Sequence, residues 1–381
     1  MMKELGVGMV GYGFMGKVQT LAYRSLPIYY DSFPVKINLI GVCTAHTASG
    51  QKAVTQAGYQ FATTNYFDLL ERQDIHIINC CTPNYLHKDI VVNALRAGKH
   101  VYCDKPLALN LAQAREILAA YRESGKIGQM AVQYRYIPAL LRAKELIAER
   151  FLGRVFTVRS QCLHSGYIDP QRPLSWRLEK EKAGGGALFD LGSHVIDLIY
   201  YLLGDFAAIY TTTETFIRER PLPGKNGRGK VEVDDLALMQ FRLKNGALGT
   251  MEVSRVATGA NDDLTLEIHG DQGAIRFQLM EPNWLEIYDV RKPEGNYGGY
   301  RGFQRIESVQ RYPAPAVIPG PKFSIGWIRF HIASLYDFIT HLLEGTTPQA
   351  DLEAGYRVQE ILEAALISSR TGQWVSLPML S

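Results

Sequence analysis

The sequence predicts an α/β protein in two parts: an N-terminal parallel sheet with crossover helices, then an α+β domain with a large, mostly antiparallel open sheet. Three observations carry that prediction. Short β-branched runs alternate with longer amphipathic stretches up to about Gln133, the way successive strand–helix–strand units read. Beyond Gly153 the rhythm changes to strands joined by tight turns, the pattern of antiparallel hairpins. At 381 residues the chain is also too long for one ordinary core, so two domains are expected, 1–130 and 131–381.

In the first part the strand candidates are "LGVGMV" (5–10), "VKINLIGV" (35–42), "IHIINC" (75–80), "KHVYC" (99–103) and "IGQMAVQ" (127–133). Between them, "NYLHKDIVVNALRAG" and "NLAQAREILAAYRESG" carry apolar residues at helical spacing, and each ends at a glycine suited to a C-cap. The run "YRYIPALLRAKELIAERFLG" reads as a helix stopped by Gly153. In the second part, "RVFTVRSQCLH", "AAIYTTTETFIR", "LALMQFRLKNGALGTMEVSRVA" and "LTLEIHGDQGAIRFQL" read as strands, with Asn245-Gly246 and Asp271-Gln272-Gly273 at hairpin positions. Residues 218–233 and 291–324 read as surface loops. Two helices, "IRFHIASLYDFITHLLEG" and "LEAGYRVQEILEAALISSR", close the chain.

Composition narrows the function classes. Hydrophobic residues make up 46% and charged residues 21%, the balance of a soluble globular protein. A net charge of +3 without a long basic run argues against neutralising many phosphates, and so against nucleic acid. No apolar run approaches the ~20 residues of a membrane span, and the start lacks the regions of a secretory signal; the expected location is the cytoplasm. The five cysteines, Cys43, Cys80, Cys81, Cys103 and Cys162, show no Cys-x-x-Cys spacing and are expected as buried thiols in a reducing compartment, with no metal.

Gly11-Tyr12-Gly13-Phe14-Met15-Gly16 follows the first strand and opens a helix. In that context the first glycine permits a tight turn, the second lets backbone amides approach a pyrophosphate, and the third lets helix and strand pack closely. A Rossmann fold binding NAD or NADP is therefore expected, with Phe14 and Met15 beside the phosphates. After the second strand an NAD-selective protein usually offers an acid to the ribose, whereas this chain offers Cys43-Thr44-Ala45-His46. Thr44 and His46 suit hydrogen bonds to a 2′-phosphate, although no Arg follows immediately; it is the absence of a repelling acid that leads to the expectation that NADP is accepted at least as readily as NAD.

Taken with the glycine loop, "CCTPNYLH", "YCDKPLALN" and "GGGALFDLGSHVID" make the chain resemble the Gfo/Idh/MocA family of NAD(P)-dependent sugar and cyclitol oxidoreductases. The likeness spans nearly the whole chain and includes "VDDLALMQFRLKNGALGTMEVSRVA", which is similar to that family's second-domain sheet. The family's catalytic lysine, usually in Glu-Lys-Pro, falls on Lys105, with Asp104 in place of the glutamate and Pro106 implied to follow a cis peptide. Its substrate-side aspartate and histidine fall on Asp190 and His194. Cys81, Thr82, Pro83, Asn84 and His87 match the cofactor-lining segment, which Asp104 and Lys105 join.

Oxidising an alcohol requires a base for the hydroxyl proton and a positive group beside the developing alkoxide. His194 suits the base because its unperturbed pKa lies near neutrality, Lys105 the stabilising donor, and Asp190 the orienting carboxylate. Lys105 as base is the competing assignment. Taken alone, Asp190 and His194 also fit a helix start, with the acid as cap and the imidazole in the core. The run "HSGYIDPQRPLSWRLEKEKAGGG" (164–186) suits a substrate loop: Trp176 for stacking on a sugar ring or, equally, for core packing, and His164, Tyr167, Asp169 and Arg177 for hydroxyls, with contact to the cofactor the alternative for Arg177. His164 and Asp169 fit exposed loop positions equally well. Tyr134 and Arg135 match a stretch near the family's active site, although Arg135 also suits a structural anchor. Asp197 and the pair Asp234-Asp235 read as structural.

The expected function is hydride transfer between NAD(P) and a secondary ring hydroxyl of a sugar, glycoside or cyclitol, in a homodimer or homotetramer assembled through the C-terminal sheet. Two alternatives stand beside it: a glycoside-cleaving enzyme using transient oxidation and elimination, and a non-catalytic nucleotide sensor.

Overall fold

The computed structural model describes residues 3–309 and 312–379. Its chain divides into two compact units. The first runs to Gln133 and takes in Tyr312–Gly320 and Gly326–Gln359; the second starts at Tyr134 and includes Pro321–Ile325 and the chain from Glu360 onward.

The first unit is built from β1 (Lys3–Val10), α1 (Phe14–Tyr29), β2 (Val35–Cys43), α2 (Thr47–Ala57), β3 (Phe61–Thr63), α3 (Phe67–Leu70), β4 (Ile77–Cys80), α4 (His87–Arg96), β5 (His100–Cys103), α5 (Leu111–Ser124) and β6 (Gly128–Met130). The six strands pair in parallel in the order β3-β2-β1-β4-β5-β6. Strand order reverses between β1 and β4, and in such sheets ligands bind at the carboxyl ends of the strands flanking that point. Strand β4 is buried at every residue and β1 from Leu5 onward, which explains why they read as continuous apolar runs rather than alternating ones. The last strand is shorter than the sequence suggests, three residues instead of the predicted 127–133, because the chain passes into a 3₁₀ turn at Gln133–Tyr136.

The second unit opens with α6 (Pro138–Ala148), β7 (Val155–Leu163), a short α7 (Lys180–Ala183) and α8 (Ser193–Leu203). The strands β8 (Phe206–Glu214), β9 (Glu219–Pro221), β10 (Arg228–Lys230), β11 (Leu236–Leu243), β12 (Leu248–Ser254), β13 (Asp263–Gly270), β14 (Gly273–Gln278), β15 (Trp284–Asp289) and β16 (Gln304–Glu307) follow. Of the two long helices that follow, α9 (Trp327–Glu344) belongs to the first unit and α10 (Leu352–Thr371) passes from the first unit to the second after Gln359; a final β17 (Val375–Ser376) belongs to the second. Nine strands form one sheet in the order β16-β15-β14-β13-β7-β12-β11-β8-β17. Its pairings are antiparallel except β12 with β7. Along β11 burial alternates residue by residue, so one face of this sheet is covered and the other open. Both predicted hairpin turns, at 245–246 and 271–273, join paired strands.

Three expectations change. The segment 218–233 is not a plain loop: β9 and β10 pair as a small hairpin. Residues 304–307, inside the second expected loop, add an edge strand to the large sheet. And α9, assigned from sequence to the second domain, clusters with the first unit. Its Ile332, Leu335, Phe338 and Ile339 share a buried core with Tyr23, Leu26 and Tyr102, the Tyr336 and Tyr30 rings stack at 3.5 Å, and Tyr102 meets the Ser334 hydroxyl at 2.8 Å. An amphipathic helix goes where its apolar face is buried, whatever its place in the sequence.

Candidate active site

The glycine loop lies in the predicted place, directly after β1. The Gly11 amide bonds Cys43 at 2.9 Å, and Cys81 in turn bonds Val10 at 2.8 Å, so the segments after β1, β2 and β4 are tied together. A Cβ on Gly16 would lie 2.2 Å from the Gly11 carbonyl oxygen, whereas one on Gly13 would meet nothing within 4 Å. Close packing is thus enforced at Gly16 and open approach offered at Gly13. Helix α1 begins there with no side-chain cap and no acid in its first turn, so its first amides and positive dipole end stay available to a pyrophosphate. These features fit a dinucleotide. Met15 is half-buried. Phe14 is 70% exposed and stacks on Trp327, 5.7 Å between ring centroids, a partnership that 312 intervening positions hide from sequence reading.

At the ribose end, Thr44 is buried and donates its hydroxyl to the His46 carbonyl at 2.9 Å. That hydrogen is therefore spent on the loop itself rather than held for a 2′-phosphate. His46 is exposed at the start of α2.

After β4, Cys81, Thr82 and Pro83 are half-buried and Asn84 is buried. His87, expected to line the cofactor, is instead 0% exposed. Its Nδ1 meets the Pro106 carbonyl at 3.0 Å and its Nε2 the Thr82 carbonyl at 2.9 Å. The ring braces the Thr82–Pro83 segment against the turn that carries Lys105; fully buried on α4, it faces these carbonyls rather than an open site. At that turn the Lys105–Pro106 peptide is cis, as the resemblance implies, and the Asp104 carboxylate accepts the Lys105 amide at 3.0 Å. Lys105 itself is half-buried at the carboxyl end of β5.

In the second unit Asp190 and His194 sit where a π-helical turn, Leu188–Gly192, runs into α8. Such widened turns recur at functional sites because they re-aim side chains. Neither residue caps the helix. That task falls to Asp234, whose two carboxylate oxygens accept the Gly186 and Leu188 amides, each at 2.7 Å. A Cβ on Gly186 would lie 1.8 Å from the Asp234 carbonyl, so glycine is obligatory there. Burial raises the Asp234 pKa, opposed by Arg255 and by the two amides. Asp235 accepts the Phe216 and Ile217 amides. Both acids thus serve the backbone, as expected.

The His194 ring is 8% exposed and lies 4.6 Å from the Tyr134 ring, whose hydroxyl reaches Asp262 at 3.1 Å. One turn further along α8, Asp197 is held by Arg135. The expected substrate loop divides. His164 is exposed, with Nδ1 accepting the Gly166 amide. Trp176 is half-buried with Arg177 lying 4.5 Å over its ring. Tyr167, expected to bond hydroxyls, is buried in a small core with Leu178, Val231 and Val233, its ring flanked by Arg172, Arg220 and Arg255; it packs the loop rather than presenting it.

Taken together, the parallel sheet with its phosphate loop defines a Rossmann-type dinucleotide-binding protein. Comparison with known proteins makes the class specific. Residues 5–133 match the oxidoreductase family with an NAD-binding Rossmann fold, and residues 140–276 match the GFO/IDH/MocA C-terminal domain. The chain belongs to the Gfo/Idh/MocA family and uses NAD(P). It is 33% identical to levoglucosan dehydrogenase of Pseudarthrobacter phenanthrenivorans, with 100% of each chain covered. A levoglucosan dehydrogenase solved with NADH and levoglucosan superposes with a TM-score of 0.94 at 33% identity, over 99% of this chain and 100% of that one. An oxidoreductase domain protein from Kribbella flavida gives 0.94 at 35% identity, each chain covered in full.

The stretch Lys180–Leu203 is long and apolar enough to cross a membrane, yet 72% of its most apolar window is buried inside the protein.

Proposed function

We propose that this oxidoreductase transfers hydride between NAD(P) and a secondary hydroxyl of a neutral polyhydroxylated ring, an anhydrosugar, monosaccharide, glycoside or cyclitol. The observation that carries the reading is the pair Asp190 and His194 on one re-aimed helical turn, in a chain that also bears the phosphate loop and a lysine at the carboxyl end of β5. End-to-end similarity to a levoglucosan dehydrogenase supports an anhydrosugar or a glucose-like ring.

The bound nicotinamide supplies the hydride acceptor. His194 takes the hydroxyl proton, and the Tyr134 ring beside it holds the imidazole plane. Lys105 donates a hydrogen bond to the same oxygen and stabilises the charge growing there. Asp190 orients the imidazole or holds a neighbouring hydroxyl. Exchange of the Lys105 and His194 roles is the alternative that pH–rate profiles of the two variants separate. Trp176 and Arg177 belong to the substrate side. At the ribose, Thr44 is spent on its own loop and offers the 2′-phosphate no donor, but no acid repels that phosphate either, so both nucleotides are accepted, NADP at least as readily as NAD.

The open face of the nine-stranded sheet carries a groove of about 730 Å³ whose lining includes Leu238 and Trp284. A second copy of the chain covers it in a cytoplasmic homodimer or homotetramer.

The deciding experiment screens levoglucosan, glucose, glucosides and cyclitols with both oxidised nucleotides, following absorbance of the reduced ring. Turnover of a ring alcohol with stoichiometric nucleotide reduction is expected. Glycoside cleavage without net nucleotide change would replace the dehydrogenase with an elimination enzyme, and tight nucleotide binding without turnover of any ring would reject the reading.

A further inference from the structure

Behind the Lys105 turn lies a buried cluster that the proposed chemistry does not use. The Cys80 and Cys103 sulfurs and a His87 nitrogen all fall within 4.8 Å of one another, and all three residues are 0% exposed. Cys80 and Cys103 are register partners on β4 and β5. Both His87 nitrogens point at backbone carbonyls, Pro106 at 3.0 Å and Thr82 at 2.9 Å. A carbonyl oxygen only accepts, and a neutral imidazole carries one N–H. Making both bonds therefore takes a second ring proton, and a fully buried positive charge requires an anion beside it. With both nitrogens committed to carbonyls, the ring has no lone pair for a metal.

We propose that the Cys80 thiol proton resides on His87, and that the resulting thiolate–imidazolium pair is a positioning device that locks the Lys105–Pro106 turn to the Thr82–Pro83 segment. The S–H bond of Cys80 is exchanged for a second N–H on His87, with no net change in protons. Thr82 Oγ1 lies 3.4 Å from the Cys80 sulfur as a donor to the thiolate, and the Cys103 thiol stands beside it. Among these thiols the electrostatics single out Cys80. Burial pushes it up, but the Cys103 hydrogen bond and the nearby His87 outweigh burial and bring it down to about 6. Cys81 and Cys103 are pushed well up, by burial for the former and by the Cys80 hydrogen bond, then burial, for the latter. The Asp104 carboxylate is the other anion near the cluster; it accepts the Lys105 amide. The two clamps meet the backbone on either side of the proposed catalytic lysine, so the inference rests on Lys105 acting at the substrate oxygen.

The test uses the full-length, reduced protein labelled with ¹⁵N-histidine and loaded with nucleotide. The His87 signals are assigned by their loss in His87→Gln. Two proton-bearing ring nitrogens are expected at neutral pH, falling to one in Cys80→Ser, with loss of one thiolate per chain from the ultraviolet thiolate band. The same Cys80→Ser change is expected to lower kcat by ~10²-fold, the scale of a small misplacement of a reacting group, with little change in the nucleotide KM. A single proton-bearing nitrogen in the unsubstituted protein overturns the proposal, and so do two in both proteins. If Cys80→Ser does not fold, the nitrogen count and thiolate band of the unsubstituted protein decide alone. Full activity in Lys105→Ala would instead sink the proposed catalytic role while leaving the nitrogen count as it stands.

Discussion

Arg135 holds Asp197 at two points, Nε to one carboxylate oxygen at 2.8 Å and a terminal nitrogen to the other at 2.5 Å, and the two side chains are 3% and 1% exposed. Asp197 lies three residues beyond His194 on α8, so the pair ties that helix to the segment bearing Tyr134. Removing one partner from a buried pair strands the other charge, at a cost of roughly 3–5 kcal/mol. Asp197→Ala is expected to lose that much in urea unfolding. The double change Arg135→Met with Asp197→Leu is expected to recover most of it, since no charge is left stranded.

The proton-handling assignment predicts that His194→Asn and Lys105→Ala each reduce kcat by about 10²–10⁴-fold while leaving the unfolding midpoint near its original value. Steady-state kinetics with levoglucosan or a better ring substrate measure it. A fully active variant at either position removes that residue from the reaction.

Two glycines in one loop should fail differently. Gly16→Ala drives a methyl to 2.2 Å from the Gly11 carbonyl, and the chain is expected to lose stability or solubility. Gly13→Ala meets nothing within 4 Å; it is expected to fold normally yet raise the nucleotide KM, because the methyl stands where the pyrophosphate approaches. Thermal melts with and without nucleotide distinguish the two.

Asp234→Ala should disturb a reaction it does not touch. It leaves the Gly186 and Leu188 amides without their carboxylate, a loss of about 1–3 kcal/mol for each buried donor. The turn carrying Asp190 then loosens, so kcat is expected to fall together with the melting temperature. Unchanged kcat in the folded variant would separate the cap from the chemistry.

Acid sensitivity follows from two desolvated imidazoles, His331 buried and His100 half-buried. Burial pushes His331 down to about 3 and His100 down to about 4. In the unfolded chain each takes a proton near its ordinary value of about 6.5, while the folded protein resists until far lower pH. The unfolded state thus binds more protons in that window, and stability falls as pH drops from about 6.5 toward 4. Neither His331 nitrogen has a hydrogen-bond partner among the described residues, so His331→Leu is expected to flatten the pH dependence without lowering the neutral-pH midpoint. An unchanged slope would exonerate the residue.

Local signals made the first unit legible. The glycine loop, the strand–helix alternation and the Lys-Pro turn all act within a few residues, and their elements appear at the predicted places. Hairpins at 245–246 and 271–273 were equally readable, because turn chemistry is local. What escaped was long-range. No nearby residue announces that Trp327 will stack on Phe14, that α9 will share a core with Tyr23 and Tyr102, or that Asp234 will cap a turn 46 residues earlier in the chain. His87 illustrates a subtler failure. Its motif suggested a place on the cofactor-lining segment, but spacing does not tell which side of α4 faces inward, and the ring went to the Thr82 and Pro106 carbonyls.

The clustering of α9 with the parallel sheet has a bearing on how the chain is made. A ribosome must polymerise nearly 90% of the polypeptide before Phe338 and Ile339 can enter the core that Tyr23 and Leu26 have waited for. During that interval the nascent nucleotide-binding half leaves an apolar flank unsealed, open to holdase chaperones. A gene cut after Gln133 would encode the whole parallel sheet and still yield an incomplete body.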